Sequence, residues 1–302
     1  MAERPLPSLE EADDPAFWAE LHPETSVGAD DVPPWRARGL DGDGAIDLLG
    51  LLRVEGHLNL PDVFAADDVA RLRRLVADVA GRGLPAAFAF VYDEPWRAFA
   101  ALAPLLAAAL GDGYRAIPDF WAWHVAAADD EAGWRPHRDR SDAVAVDADG
   151  SPRALTAWVA LTDATPLNGC IYLVPAHVDA GVRTIGPGRD VLRRPQDARA
   201  QPAPAGSLLV WNHGVLHWGG RSSRRAAAPR VSAALQFQRG DIAPFARPLF
   251  DPHRPPAWPL RMWLLARVVL GYAHMTPLDP AVAALVRGLS ARHYARVAAA
   301  AP

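Results

Sequence analysis

Apolar positions along this chain follow two different periods, and the change comes near residue 120. Between residues 67 and 80, Val69, Leu72, Leu75, Val76 and Val79 recur every three or four positions, which predicts an amphipathic helix. Asp67 and Asp68 supply its cap, and Gly81 or Gly83 its stop. The Ala- and Leu-rich stretch 99–110 predicts a second helix, kinked at Pro104, because proline removes a backbone donor and its ring crowds the preceding turn. Ahead of both, residues 51–60 alternate weakly and predict a short strand, with a turn at 61–64.

From Phe120 onward the apolar runs are short, aromatic or β-branched. Residues 120–125, 155–161, 170–174, 208–211 and 231–238 predict strands. Asn168-Gly169 predicts a hairpin-type turn, and Pro175 ends the strand after it. Residues 147–151 begin like a calcium loop but lack its later acidic ligands, so they predict a tight turn. Beyond Pro248 the chain is Pro-rich and then helical again, over 262–270 and from 280 to about 297. Asp279 caps the last helix and Pro280 takes its first position. Several short strands with turns between them imply an antiparallel sandwich or barrel. The expected class is mainly β with flanking helices, an α+β chain. No repeat and no linker divides it. The expected organisation is an N-terminal extension (1–44) anchored by Trp18 and Trp35, a central domain (45–245), and a helical C-terminal extension (246–302) packed on the same domain.

Composition narrows the function. A net charge of −4 over 302 residues gives no polybasic surface for nucleic acid or anionic lipid. The single cysteine, Cys170, excludes an intramolecular disulfide framework and a multi-cysteine zinc site. Residues 1–14 are acidic and contain no apolar stretch of the kind a signal peptide needs. No run of about 18 apolar residues exists. A cytoplasmic protein acting on a small molecule is the expectation, with the oligomeric state left open.

The candidate chemistry starts at His137-Arg138-Asp139. On extended backbone, residues two apart point to the same face, so an imidazole and a carboxylate converge. They supply two thirds of the 2-His-1-carboxylate triad that holds non-haem Fe(II) with open positions. A hydrogen-bonded pair at a strand end is the alternative. Downstream, residues 206–220 offer two further histidines, His213 and His217, and Pro229-Arg230 opens the next strand. An open-sited Fe(II) needs electrons from a co-substrate to reduce O2. 2-Oxoglutarate supplies them, and its distal carboxylate needs a cation, best met by the planar fork of an arginine.

Four stretches in this order resemble the phytanoyl-CoA dioxygenase family of Fe(II)/2-oxoglutarate-dependent oxygenases. They are Gly56-His-Leu-Asn-Leu-Pro61-Asp-Val-Phe running into the Asp67-Asp68 helix, and Pro136-His137-Arg138-Asp139. Then come Trp158-Val-Ala-Leu161-Thr-Asp with Asn168-Gly169-Cys170 and Val174-Pro175-Ala176-His177, and Gly206-Ser-Leu-Leu-Val through Leu216-His217 with Pro229-Arg230. The resemblance covers roughly residues 45–245. It implies a double-stranded β-helix, a jelly-roll or cupin-like barrel with the metal in its mouth. It implies His137, Asp139 and His217 as the catalytic iron ligands and Arg230 as the anchor of 2-oxoglutarate. Trp158 and His124 are implied co-substrate contacts, each with core packing as the alternative. His213 is then a hydrogen-bonding residue near the mouth.

Two departures stand out. Gly219 sits where relatives often carry a small hydroxyl residue that assists the anchor, and Arg221, Arg224 and Arg225 lengthen the loop before Arg230. The carboxylate of Asp139 argues against halogenation, for which a small residue would leave room for chloride. The implied activity is hydroxylation of a small molecule with release of succinate and CO2. Desaturation, epimerisation or ring closure on the same iron, a cupin-like enzyme without 2-oxoglutarate, and a binding protein are the alternatives. Of eleven tryptophans, Trp121, Trp123, Trp134, Trp158, Trp211 and Trp218 lie in the motif-bearing half, either lining an apolar pocket or filling the barrel. Arg135, Arg138 and Arg140 flank the metal pair and are read as solvent-facing, with contact between one of them and an anionic substrate as the alternative.

Overall fold

Helices on one side and two antiparallel sheets on the other make up the computed structural model, which describes residues 6–29, 33–40, 43–129, 131–140, 142–179 and 194–300. Of the extension predicted over 1–44, residues 1–5, 30–32 and 41–42 lie outside the described residues. In chain order the helices before the first sheet strand are α1 (Leu9–Asp13), α2 (Pro15–Leu21) and α3 (Asp43–Glu55). Strand β1 (His57–Leu60), α4 (Ala66–Gly81), a 3-10 segment (Ala86–Val91), α5 (Glu94–Ala100) and α6 (Ala103–Leu110) follow. The barrel portion runs β2 (Arg115–Val125), α7 (Asp142–Ala145), β3 (Ala154–Ala160), β4 (Ile171–Leu173), β5 (Arg199–Gln201), β6 (Leu208–Asn212), β7 (His217–Gly219) and β8 (Arg230–Gln238). Helices α8 (Trp258–Gly271) and α9 (Pro280–Ala300) close the described chain.

Strands pair in the order β1-β6-β3-β8-β2 in the larger sheet and β5-β4-β7 in the smaller one. Every pairing is antiparallel. The larger sheet sorts its side chains by the two-residue period of a strand. Leu155, Ala157, Val159, Val210, Ala233, Leu235 and Phe237 join the helices in one core. Trp158, Ala160, Leu209, Trp211 and Ala234 turn the other way and meet Ile171 and Leu173 of the smaller sheet. This is the double-stranded β-helix that the resemblance implies, within the sandwich-or-barrel class the strand pattern predicts, with one face sealed by helices and the other enclosing an interior. Each large side chain removed from water in such a core contributes roughly 1.5–3 kcal/mol.

The helix at α4 carries the five predicted inward residues. Its cap differs: Ala65 is the N-cap and makes no side-chain bond, while Asp67 and Asp68 lie inside the first turn. There their charges still favour the positive end of the helix. The strand predicted over 51–60 is corrected to the end of α3 followed by β1. Leu52 is buried whereas Leu51 and Val54 are 49% and 58% exposed, which is a helical face and not an alternation. Gly56, at φ +74°, turns the chain between them, and a Cβ there would meet Val215 at 2.7 Å. The single helix predicted over 99–110 is two helices, because Pro104 sits in the first turn of α6 and starts a new helix instead of kinking an old one.

Trp18 is fully buried, with its Nε1–H donating to the Ala12 carbonyl at 3.0 Å. Trp35 Nε1–H donates to Glu94 Oε2 at 3.0 Å. At the other end α8 packs on β2 and on the 3-10 segment, and α9 packs on α8 and α1. Asp279 accepts from the Ala281 amide at 2.8 Å, as the sequence predicts for the cap of α9. Among the described residues no helix is long and apolar enough to cross a membrane.

Candidate metal centre and its cavity

Residues 134–137 run beside β7 and extend the smaller sheet. His137 N–H donates to the His217 carbonyl and His217 N–H to the His137 carbonyl, both at 3.0 Å, and Gly219 N–H donates to the Trp134 carbonyl at 3.0 Å. A reciprocal pair of this kind sets two residues directly opposite with their side chains on one face. The imidazole centroids of His137 and His217 are 4.3 Å apart. Asp139, two positions on, reaches the same point. Its Oδ1 lies 3.8 Å from His137 Nε2 and 3.9 Å from His217 Nε2. One ligand-type atom from each of the three falls within 4.8 Å of the others.

The protons on both rings are fixed by their neighbours. His137 Nδ1 lies 2.7 Å from the Arg135 carbonyl, and His217 Nδ1 lies 3.0 Å from the Val215 carbonyl. A carbonyl can only accept, so each Nδ1 carries the proton and each Nε2 presents a lone pair to the shared point. The carboxylate is oriented in the same way. Its Oδ2 accepts from the Thr156 hydroxyl at 2.6 Å and from Trp211 Nε1–H at 3.1 Å, leaving Oδ1 toward the imidazoles.

Burial opposes the charge of Asp139, but the facing His217, His213 and His137 and the Thr156 hydroxyl hold it well below the usual carboxylate range. Burial, with His137 beside it, pushes His217 down to about 4. At neutral pH the set therefore offers one anion and neutral His217, the states a divalent cation requires.

A cavity enclosing about 510 Å³ of empty space, its mouth included, opens beside this point. Trp121, Trp123, Trp134, Trp158 and Trp211 line it, as do Arg230 and Gln236. Arg230 is 1% exposed. Its Nη1 donates to the Ser232 hydroxyl at 2.8 Å, its Nε has no partner, and its guanidinium lies 5.9 Å from the Trp158 ring centre. Among the described residues no carboxylate pairs with it. Burial pushes Arg230 down to about 10, still cationic at neutral pH. Close backbone keeps space beside it: a Cβ on Gly133 would stand 2.8 Å from Arg230 Nη2, and one on Gly219 would stand 2.7 Å from Gly133 Cα.

Of the residues singled out in the sequence, His137, Asp139, His217, Arg230 and Trp158 share this cavity. His213 is fully buried outside the three-residue group. His124 does not reach the cavity. It is exposed on β2, whose inward positions are Asp119, Trp121 and Trp123, because adjacent strand residues face opposite ways. Arg221, Arg224 and Arg225 are exposed, which leaves Arg230 as the buried cation. Trp218 stacks on Tyr172 at 5.8 Å and is not part of the cavity wall. Arg138 is not solvent-facing: it pairs with Asp179 at 2.7 Å and bonds the Gly214 carbonyl.

The sequence reading misses Thr156, Ser232, Asp119 and Gln236. Ser232 stands two positions after Arg230 on β8, so the strand period alone could have found it. Its hydroxyl accepts from Arg230 on β8, whereas Gly219 on β7 brings no side chain.

A family model described as phytanoyl-CoA dioxygenase (PhyH) matches residues 86–227, a span that holds His137, Asp139 and His217 and stops short of Arg230. No curated protein matches the sequence. Among solved structures, the chain is similar to a non-heme monooxygenase, ThoJ, crystallised as a nickel complex, with a TM-score of 0.52 and 18% identity over 84% of this chain and all of that one. It is also similar to the non-heme alpha ketoglutarate dependent epimerase SnoN from nogalamycin biosynthesis, with a TM-score of 0.51 and 20% identity over 72% of this chain and 95% of that one. A further SnoN structure, in complex with Fe3+, alpha ketoglutarate and nogalamycin RO, has a TM-score of 0.50 and 21% identity over 72% of this chain and 96% of that one. At these identities the likeness is one of fold. Residues 86–227 thus match the phytanoyl-CoA dioxygenase family model, and the fold is similar to that of a non-haem enzyme crystallised with iron and alpha ketoglutarate.

Proposed function

We propose that this protein is an Fe(II)/2-oxoglutarate-dependent dioxygenase that hydroxylates an unactivated C–H bond of a small-molecule substrate. The balanced reaction is R–H, O2 and 2-oxoglutarate giving R–OH, succinate and CO2. The observation that carries this reading is Arg230, a buried guanidinium with no acidic partner among the described residues, in the same cavity as His137, Asp139 and His217.

The donor set fits the metal. His137 and His217 would bind Fe(II) through Nε2, and Asp139 through Oδ1, which also offsets one positive charge. Three protein ligands leave positions for a co-substrate and O2. The anchor fits as well. A buried cation with a partnerless Nε is costly unless an anion completes it, and a dicarboxylate held at the metal by one end would supply that anion with the other. Ser232 holds the fork in place. Trp158 forms the wall beside it, and the tryptophan-lined interior excludes water from the reacting groups. Loaded with Fe(II) and 2-oxoglutarate, the centre supplies O2 reduction coupled to decarboxylation, which is the oxidising power the C–H bond requires.

The direct test is calorimetric titration of 2-oxoglutarate into anaerobic, Fe(II)-loaded protein. One equivalent should bind, and His137→Ala or Asp139→Ala should abolish the metal-dependent part. Unchanged metal-dependent binding in those variants would remove the ligand assignment.

A further inference from the structure

Partnerless polar atoms stand at both ends of the cavity, Arg230 Nε at one and Gln236 Oε1 at the other, and the indole N–H groups of Trp123, Trp134 and Trp158 are also unpaired along its wall. Ala234 and Gln236 line it from β8 and, with Ser232 on the same face of the strand, sit opposite Trp158, Thr156 and Ala160 of β3. Arg230 and Gln236 are six residues apart on this strand, which separates the two ends by about 20 Å of backbone. Arg230 marks the donor end. Gln236 and Asp119 mark the other end, next to Thr156 and so close to the Asp139 side of the centre.

Both residues at this second end are acceptors without enough donors. Gln236 is 7% exposed, and its Oε1 has no hydrogen-bond partner. Asp119 accepts from the Tyr272 hydroxyl at 2.5 Å through Oδ1. Among the described residues it has no other hydrogen bond and no ion pair. Tyr272, a positioning residue, comes from the C-terminal end of α8, outside the family match. It packs its ring 4.2 Å from Trp134 and 5.4 Å from Trp121, and those two indoles are 5.8 Å from each other. The carboxylate therefore sits among aromatic rings with no ion-paired cation among the described residues; Arg140 acts on it only from beyond ion-pair distance and does not offset its burial.

We propose that the substrate carries a protonated amine, bound by Asp119 and Gln236 among Trp121, Trp134 and Tyr272. This rests on reading Arg230 as the co-substrate's anchor, which assigns the opposite end to the substrate. An ammonium satisfies both acceptors, supplies the missing counter-charge and is attracted to the faces of aromatic rings. An apolar substrate would leave both acceptors buried and unpaired. An anionic one would meet Asp119 and Asp139 together. Burial pushes Asp119 up to about 6, a cost that a bound cation would relieve.

The test uses phenethylamine, cyclohexylamine and glucosamine, each beside its N-acetyl derivative. Binding is read twice: by tryptophan fluorescence of the metal-free protein, and by the change each compound makes in the visible band of the anaerobic Fe(II)·2-oxoglutarate complex. At least one amine should bind about tenfold or more tightly than its acetylated partner. Asp119→Asn should erase that preference, and Gln236→Leu should weaken it in a second, independent variant, with circular dichroism verifying the fold of each. No amine preference in any pair, or a preference that survives Asp119→Asn in folded protein, overturns the inference. A normal 2-oxoglutarate band without amine preference overturns this inference alone. Absence of the band overturns the proposed function and, with it, the division of the cavity.

Discussion

The Thr156 hydroxyl donates to Asp139 Oδ2 at 2.6 Å and is the shorter of the two bonds that turn Oδ1 of the carboxylate toward His137 and His217. Removing it leaves Oδ2 with Trp211 alone. Outer hydrogen-bond partners of a metal site typically control 10- to 100-fold in metal affinity. Thr156→Val should therefore weaken Fe(II) binding by about tenfold while the protein stays folded, measured by competition with a metallochromic chelator. Unchanged affinity would mean that Trp211 orients the carboxylate unaided.

Arg230 and Ser232 separate charge from geometry. Arg230→Lys keeps the cation but loses the planar fork, and Arg230→Ala loses both. Charge-assisted bonds contribute about 1.5–3 kcal/mol each. Arg230→Ala should raise the 2-oxoglutarate dissociation constant by about 100-fold. Arg230→Lys should fall between it and wild type, and Ser232→Ala should cost less than either. Fe(II) affinity without co-substrate should not follow this order.

Gly133 makes a steric prediction at the same spot. A Cβ there would stand 2.8 Å from Arg230 Nη2 and 3.0 Å from Gly219 Cα. Gly133→Ala should displace the guanidinium and weaken 2-oxoglutarate binding by about tenfold, with Fe(II) binding retained. Calorimetry on the metal-loaded variant checks it.

His213 gives the metal-free protein a pH dependence of defined sign. Burial pushes it down to about 4, against the pull of Asp139, whereas the unfolded chain holds a histidine near 6.5. Between these values the unfolded state binds the extra proton. Its contribution to stability is present in full above about pH 6.5 and is lost as pH falls toward 4, with a limiting slope of about 1.4 kcal/mol per pH unit. Urea unfolding across this window should be steeper in pH for wild type than for His213→Leu.

Trp18 tests whether the N-terminal stretch belongs to the folding unit. Its ring lies 6.0 Å from both Phe88 and Tyr92. Trp18→Ala should destabilise the whole protein by roughly 3–5 kcal/mol, in a single urea transition. A separate early transition would make residues 1–44 an independent appendage.

The parts of this site legible in the sequence share a physical property: each is carried by a short segment. His137 and Asp139 are two apart, the first in a bridge to His217 and the second in the bend that follows, and Arg230 follows a proline at the head of an apolar strand. Period-two alternation likewise separates the two faces of β3 and β8. What the sequence hides is set at long range. The Asp119–Tyr272 bond joins residues 153 positions apart, and Pro118 obscures the first half of β2, so the strand reads as starting at Phe120 and Asp119 falls outside it. His124 misleads because an aromatic strand does not say which of its two faces is inside. The weak alternation over 51–60 misleads because Leu51 and Val54 are apolar residues left on a helix surface.

The most direct measurement is the visible spectrum of anaerobic protein titrated with Fe(II) and then 2-oxoglutarate, for wild type and Arg230→Ala. A metal-to-ligand charge-transfer band that grows with 2-oxoglutarate in wild type, and requires far more of it in the variant, is the predicted result. A wild-type protein that binds Fe(II) yet develops no band, or a variant that saturates at the same 2-oxoglutarate concentration, would contradict the account.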